Sequence, residues 1–124
     1  MAKSAARLGL KAAPLDVRAF ALSGGNQQRV VLVRELANDP RLIVALYPTR
    51  GLDALSAETV RAAFLDARAR GGALLLISED LDELFALSDR IIALRAGGVA
   101  GEFRPEAFRA DTIGPSMVGA ADAA

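Results

Sequence analysis

The sequence contains no cysteine and no histidine. Without cysteine the chain can form neither a disulfide nor a thiolate metal site, and without histidine it lacks the commonest metal ligand and general base. Basic and acidic residues number 15 each, so no excess charge indicates binding to nucleic acid or to an anionic membrane. No apolar run is long enough to cross a bilayer, and the N-terminus lacks the pattern of a signal peptide. These absences predict a cytosolic protein that would reach a membrane only through a partner.

What the chain does contain is enough apolar sequence for one core. It has 124 residues, of which 52% are hydrophobic, and this bounds it to one domain at most. Two continuous apolar runs, Leu42–Leu46 and Ala73–Ile77, are typical of parallel strands that are buried on both faces. Helical patterns alternate with these runs, which predicts an α/β fold with a mostly parallel sheet and flanking helices. Ligands bind such sheets at the carboxyl ends of the strands, so the loops after Leu46 and Ile77 lie on the predicted functional edge.

The other elements follow from helical periodicity, capping residues and turns. The sequence predicts helices at 26–38, at 57–70 with Ser56 as the cap, and at 81–87 with Ser78 or Asp80 as the cap. A third strand at 91–94 and a strand at 99–103 form a predicted C-terminal β-hairpin. Short helices at 5–11 and near 106–110, and a turn at 14–16, complete the prediction.

Two glycines and a small hydroxyl stand directly before the first of these helices. Gly24 and Gly25 lack a Cβ atom, so other groups can approach their backbone closely, and Ser23 can cap the helix by accepting a backbone N–H. The free N–H groups and the positive dipole end of a helix suit an anion such as phosphate. A plain capped helix after a glycine turn is the simpler interpretation of these residues alone, because short glycine motifs often occur by chance.

The whole stretch 22–28, Leu-Ser-Gly-Gly-Asn-Gln-Gln, resembles the signature motif of ABC transporter ATPase domains. Its Asn-Gln-Gln ending resembles the form found in importers of simple sugars and nucleosides. The resemblance continues in the family's order and spacing over roughly residues 22–103, through the stretches 34–37, 39–40, 48–53, 78–84 and 88–90. It implies that residues 1–22 end a helical subdomain, that 23–103 form the C-terminal half of an ATPase domain, and that 104–124 are a tail.

Several of the family's chemical residues have no counterpart in this chain. No Gly-x-x-x-x-Gly-Lys-Ser/Thr sequence occurs, so the resemblance implies an incomplete P-loop-type fold that lacks the Walker A half. Where the family has a Mg²⁺-binding aspartate, a water-polarising glutamate and a switch histidine, this chain has Leu46, Tyr47 and Glu79. Leucine cannot ligate a hard cation, a phenol is a poor base at neutral pH, and a glutamate repels phosphate. The chain alone is therefore predicted to be inactive as an ATPase.

The family resemblance nevertheless implies a role in trans. Domains of this family pair head to tail, and each contributes its signature motif to ATP that is held, with Mg²⁺, by the partner domain. On this resemblance the residues that bind the partner's ATP are Ser23, Gly24, Gly25, Asn26 and Gln27. Asp53 matches the D-loop, which crosses the interface between the domains. Alternatively, Ser23 only caps its helix and Asp53 only caps the turn before Ser56.

The resulting hypothesis is the C-terminal part of the second, degenerate ATPase domain of a bacterial importer for sugars or nucleosides. Its implied partners are another ABC ATPase domain and membrane permease subunits at the cytoplasmic face of the inner membrane, with no nucleic acid. An alternative is a truncated, non-catalytic interaction module that binds no nucleotide alone. A third option, a soluble ABC ATPase of translation or DNA repair, fits the Asn-Gln-Gln ending and Glu79 less well.

Two further expectations concern the acidic residues and the sheet. The acidic cluster Glu79, Asp80, Asp82 and Glu83 resembles a metal site, but acids at a helix N-terminus are favoured by the helix dipole, so no metal site is predicted. A sheet without the preceding half of the domain would have an open apolar edge, which predicts aggregation or dependence on a partner.

Overall fold

The computed structural model describes residues 18–118. The helix and the turn predicted at 5–11 and 14–16 lie outside the described residues, as do most of the predicted subdomain end (1–22) and the last residues of the tail. The chain divides into two compact units, Met1–Ser78 and Glu79–Ala124, which are described separately.

The first unit contains one strand–helix–strand repeat preceded by a helix. Its elements are a short 3-10 helix (Ala19–Ala21), helix α1 (Gly24–Leu36), strand β1 (Leu42–Leu46), helix α2 (Ala54–Ala69) and strand β2 (Ala73–Ile77). The two strands pair in parallel, with Leu42 opposite Ala73 and Leu46 opposite Ile77. Both strands have the predicted bounds, and the parallel pairing confirms the predicted α/β class.

The helices of the first unit differ from the prediction at their ends. Helix α1 starts two residues early and stops at Leu36, since Asp39 turns the chain with a φ of 47° before Pro40. Helix α2 begins at Ala54 because its cap is Asp53, whose carboxylate accepts the Ser56 N–H at 2.9 Å. The prediction that Ser56 caps this helix is therefore wrong: Ser56 lies within the first turn.

The core of the first unit lies between the two helices and one face of the sheet. Helix α1 packs against α2, and α2 packs against β2. Leu36 and Val60 are fully buried, and Phe64, one turn after Val60 in α2, is also buried. The short 3-10 helix before α1 leads directly into the glycine motif.

The other face of the sheet is exposed. Its side chains, which alternate along the paired strands, are between 45% and 63% exposed: Leu42, Val44, Leu46, Leu75 and Ile77. Ala45, on the opposite face, is buried. The prediction that both strands are buried on both faces is therefore wrong for the part of the chain that the structure describes, because no element between residues 18 and 78 covers this face.

The second unit consists of an α-helix, a hairpin and a C-terminal helix. Its elements are α3 (Leu81–Leu87), β3 (Ile91–Arg95), β4 (Gly98–Phe103), a 3-10 helix (Pro105–Ala107) and α4 (Ala110–Val118). The antiparallel pairing of β3 with β4 confirms the predicted hairpin. Asp80 caps α3, because its carboxylate accepts hydrogen bonds from the N–H groups of Asp82 and Glu83 at 3.0 and 3.1 Å. It is one of the two residues predicted to cap this helix.

Helix α4 packs on both strands of the hairpin. The short helix predicted near 106–110 is wrong, because the 3-10 turn ends at Ala107 and Phe108 leaves the helical conformation with a ψ of 80°. The Phe108 ring instead stacks on Phe85, with 5.5 Å between the ring centres. Among residues 18–118, no helix combines the length and the apolar character that crossing a membrane requires.

Candidate functional site

The N-termini of helices α1 and α2 lie beside each other. A Cβ atom on Gly25 would lie 3.1 Å from Ser56 Oγ and 4.0 Å from Asp53 Oδ2. Arg29, one turn into α1, donates from Nη2 to Ser56 Oγ at 3.3 Å. The first unit thus brings the glycine motif together with Asp53, and we refer to residues 23–29, Asp53 and Ser56 as the two-helix site.

Ser23 occupies the N-cap position of α1 in an extended conformation, and its side chain makes no capping hydrogen bond. Its backbone carbonyl accepts the Gln27 N–H at 2.9 Å, as the first bond of the helix. The interpretation of Ser23 as a side-chain cap is therefore wrong. Ser23 is exposed and directly precedes the first turn, whose N–H groups an α-helix leaves without internal partners.

The two glycines of the motif have different surroundings. A Cβ on Gly24 would meet no atom within 4 Å, whereas a Cβ on Gly25 would press on the Ser56 hydroxyl. A contact of 3.1 Å is shorter than a Cβ atom ordinarily makes, so the packing of α1 against α2 favours glycine at position 25. The packing places no such demand on Gly24, whose backbone is open to an approaching group.

The amide side chains of the motif bind to the protein itself. Gln27 Nε2 donates to the Leu22 carbonyl at 3.0 Å, and Gln28 Nε2 donates to the Pro48 carbonyl at 2.9 Å. Asn26 Oδ1 accepts from Arg29 Nη1 at 3.4 Å. Gln28 therefore ties the first turn of α1 to the loop that follows β1.

Sequence reasoning missed the contacts that Gln28, Arg29 and Ser56 make between elements. Only the spacing of Asp53 and Ser56 carried a signal, because an aspartate at the N-cap and a serine three residues later often bond to each other. Nothing in the sequence indicates that Arg29 reaches Ser56, since the two residues are 27 positions apart.

Asp53 makes two hydrogen bonds at the start of α2. Oδ2 accepts from Ser56 Oγ at 2.7 Å, and Oδ1 accepts from the Ser56 N–H at 2.9 Å. Both bonds favour the charged carboxylate, and they lower the pKa of Asp53 below its ordinary value, the hydroxyl bond having the larger effect. Asp53 therefore caps α2, as one of the two interpretations predicted, and its position in a D-loop interface stays a prediction.

The end of β1 carries no group that could hold a magnesium ion. Leu46 is 63% exposed, and Tyr47 follows it with a left-handed φ of 46° while donating its N–H to the Ile77 carbonyl at 2.8 Å. The Arg50 guanidinium lies 5.5 Å from the centre of the Tyr47 ring. An alkyl group, a phenol and a cation offer Mg²⁺ no carboxylate, so the residues present do not fit the metal.

The acidic cluster at residues 79–83 contains one helix cap. Glu79 is exposed at the start of the second unit, and Asp80 caps α3. Glu83 is buried within α3, so it does not face solvent together with its neighbours. No group of three or more potential ligands in residues 18–118 could hold a metal ion.

Comparison with known proteins gives consistent matches. No protein-family model matches the chain. It is 47% identical over 108 residues to a glucose import ATP-binding protein of Haloferax volcanii, covering 87% of this chain and 20% of that protein. It is 40% identical over 111 residues to a ribose import ATP-binding protein of Agrobacterium fabrum, covering 90% of this chain and 22% of that protein. A nucleoside import ATP-binding protein of Lactococcus lactis is 41% identical over 103 residues, covering 83% and 20%.

Solved structures match the same chain over most of its length. The structure of a nucleotide-free ATP-binding cassette from an ABC transporter superposes with a TM-score of 0.79 and 27% identity, covering 94% of this chain and 46% of that one. A dimeric, post-hydrolysis cassette bound to ADP and Pi gives a TM-score of 0.73 and 28% identity, covering 84% and 45%. The chain spans about a fifth of the length of the curated relatives it matches, and less than half of each of these solved cassettes.

Proposed function

Because this chain is homologous to the import ATP-binding proteins of ABC transporters and has the fold of part of an ATP-binding cassette, we propose that it is a segment of an ABC importer's ATP-binding component. The relatives are named for the import of glucose, ribose, nucleosides and guanosine, so we assign the solute to the sugars or nucleosides. The chain covers only about a fifth of these proteins, and we extend the activity, solute and partners of the whole component to it.

Within that component, the chain supplies the start of helix α1 to ATP that a second ATPase domain holds. The observation that carries this assignment is the open helix start at Gly24, where a Cβ atom would meet nothing within 4 Å. The first-turn N–H groups have no intrahelical partners, and the dipole favours an anion at this end. Ser23 adds an exposed polar residue at the N-cap position, so the γ-phosphate is the part of ATP that this site suits best.

The chemistry of hydrolysis belongs to the partner domain in this proposal. Leu46 and Tyr47 offer neither a magnesium ligand nor a general base, so Mg²⁺ is held elsewhere. The site of this chain orients and stabilises phosphate charge through fixed N–H dipoles, which is the electrostatic part of phosphoryl-transfer catalysis. The assembly would act on a membrane permease at the cytoplasmic face of the membrane.

The proposal is tested by placing a negative charge at Gly24. In the assembled importer ATPase that contains this segment, Gly24→Asp places a carboxylate before the phosphate site without disturbing the packing. We expect ATP turnover to fall by about tenfold or more, the size that loss of one transition-state contact commonly produces. The matched control is Gly114→Asp, because a Cβ on Gly114 would also meet no atom within 4 Å, and it should leave turnover unchanged.

The same experiment addresses the alternative function. If Gly24→Asp leaves turnover intact while the segment still associates with the partner domain, α1 is not a phosphate-contacting helix. The degenerate positions Leu46 and Tyr47 would then favour the non-catalytic interaction module. A direct measurement of that association, by co-purification of tagged partner domains, separates this outcome from a variant that has fallen out of the assembly.

A further inference from the structure

Ser56 is a polar residue that is only 5% exposed, and its hydroxyl joins the two helices of the site. Ser56 Oγ accepts from Arg29 Nη2 at 3.3 Å and donates to Asp53 Oδ2 at 2.7 Å. An arginine can only donate hydrogen bonds, and an ionised aspartate can only accept them. The direction of this chain of hydrogen bonds is therefore fixed, from Arg29 through the hydroxyl to Asp53.

The hydroxyl is not required for the cap of helix α2. The cap itself is the bond between Asp53 Oδ1 and the Ser56 backbone N–H, which any residue except proline at position 56 would keep. The hydroxyl adds a second bond to Asp53 and reaches across to helix α1. A buried polar group destabilises the protein unless it is hydrogen-bonded, and here both of its bonds involve a charged partner and so are of the stronger kind.

From this geometry we propose that the Ser56 hydroxyl is a positioning group, which sets the first turn of α1 against Asp53. Arg29 lies one turn after the glycine motif, so holding its guanidinium fixes the rotation of that turn and the direction of its N–H groups. In this arrangement Asp53 acts on the site through Ser56, and Ser56 acts through Arg29. The inference rests on the proposed function, because it names the residue that orients the proposed phosphate site.

Gly24 and Gly25 have different roles in this arrangement. Gly25 is small because α1 approaches the Ser56 hydroxyl closely, whereas Gly24 is small beside open space. A Cβ on Gly25 would lie 3.7 Å from Ser56 Cβ, an ordinary contact, but only 3.1 Å from the hydroxyl oxygen. Removing the hydroxyl should therefore make room for a methyl group at position 25.

The first experiment compares Ser56→Ala and Ser56→Thr in the assembled ATPase. Ser56→Ala keeps the cap and removes the link, so we expect turnover to fall by about tenfold, as misplacement of a contacting group predicts. Its melting temperature should also fall, because Arg29 and Asp53 each lose a hydrogen bond, so Ser56→Thr is needed to separate lost stability from the lost link. Ser56→Thr keeps the hydroxyl but adds a methyl group at a buried position, so we expect lower stability with turnover largely retained. Thr59→Ala is the control, because Thr59 Oγ1 donates within α2, to the Leu55 carbonyl at 2.8 Å.

The second experiment is a double-mutant cycle on the full chain. Gly25→Ala should lower the melting temperature, and adding Ser56→Ala should recover part of that loss, giving a non-additive pair. Additive effects would show that the two residues do not share the contact, and would overturn the inference. If Gly24→Asp lowers turnover but Ser56→Ala does not, the inference about Ser56 is overturned and the proposed function stands. If Gly24→Asp leaves turnover normal, the proposed function is overturned.

Discussion

At the start of α2, one residue caps the helix and another links it to α1. The sequence did not show which residue has which role, and the structure does. The capping spacing of Asp53 and Ser56 was visible in the sequence, but its direction was not, because either side chain could cap the helix. The structure assigns the cap to Asp53 and gives Ser56 a link to Arg29. Because this link joins residues that are far apart in the chain, local sequence propensities cannot predict it.

The hydrogen bonds of Asp53 predict a pH-dependent stability. The pKa of its carboxyl is lowered in the folded chain, chiefly by the Ser56 hydroxyl. A lowered folded-state pKa stabilises the protein above the unfolded pKa, and this stabilisation is lost as the pH falls through the folded pKa. Asp53→Asn should therefore melt at a lower temperature than the wild type at neutral pH, and the difference should shrink in strongly acidic solution.

Thermal unfolding of both proteins between neutral and strongly acidic pH measures this difference. Glu106→Gln, which removes an exposed carboxylate in the second unit, serves as the control and should alter the melting temperature at neutral pH little, as surface substitutions usually do. A melting difference for Asp53→Asn that stays constant across the pH range would contradict the assignment.

At the scale of elements, the bounds of β1 and β2 were predicted more accurately than those of helices α1 and α2. The apolar runs of β1 and β2 are bounded by Pro40, Pro48 and Gly72, so their ends are marked. Helix ends depended on which neighbouring residue became the cap, and they shifted by up to three residues. Helix α4 was missed because Gly114 and Pro115 disfavour a helix, while burial of Ile113 on the hairpin overrides that local preference.

Ile113 is therefore expected to hold helix α4 against the hairpin. It is fully buried, and α4 packs on both β3 and β4. Ile113→Ala should destabilise the second unit by about 2–5 kcal/mol, since it removes buried methyl groups and leaves a cavity. Chemical denaturation with hydrogen exchange at residues 91–103 measures the effect.

The control on the same helix is Val118→Ala, because Val118 is 85% exposed. A surface change of this kind should alter stability by no more than about 0.5 kcal/mol. Equal effects of the two substitutions would mean that α4 is not anchored through Ile113.

At the scale of the whole molecule, the apolar strands predict an environment that residues 18–118 do not provide. Continuous apolar strands are typical of a sheet covered on both faces, yet five large side chains of β1 and β2 are exposed on one face. The relatives and the solved cassettes are all longer than this chain. The composition of the two strands predicts burial on both faces, but it could not predict which face is open in the described residues.

The open face predicts that the isolated chain associates with itself. An exposed apolar row on a two-stranded sheet is a typical site of association. Sedimentation velocity should therefore show oligomers at micromolar concentration, and the double substitution Val44→Lys with Leu75→Lys should shift the chain towards monomer. Leu55→Lys is the matched control, because Leu55 is 74% exposed on helix α2, away from this row, and should leave the oligomers in place.

Hydrogen exchange on the isolated chain tests independently whether the sheet depends on a partner. Strands that depend on a partner should exchange quickly at residues 43–45. A monomeric wild-type chain with strong protection there would mean that the two-stranded sheet is stable without any covering element.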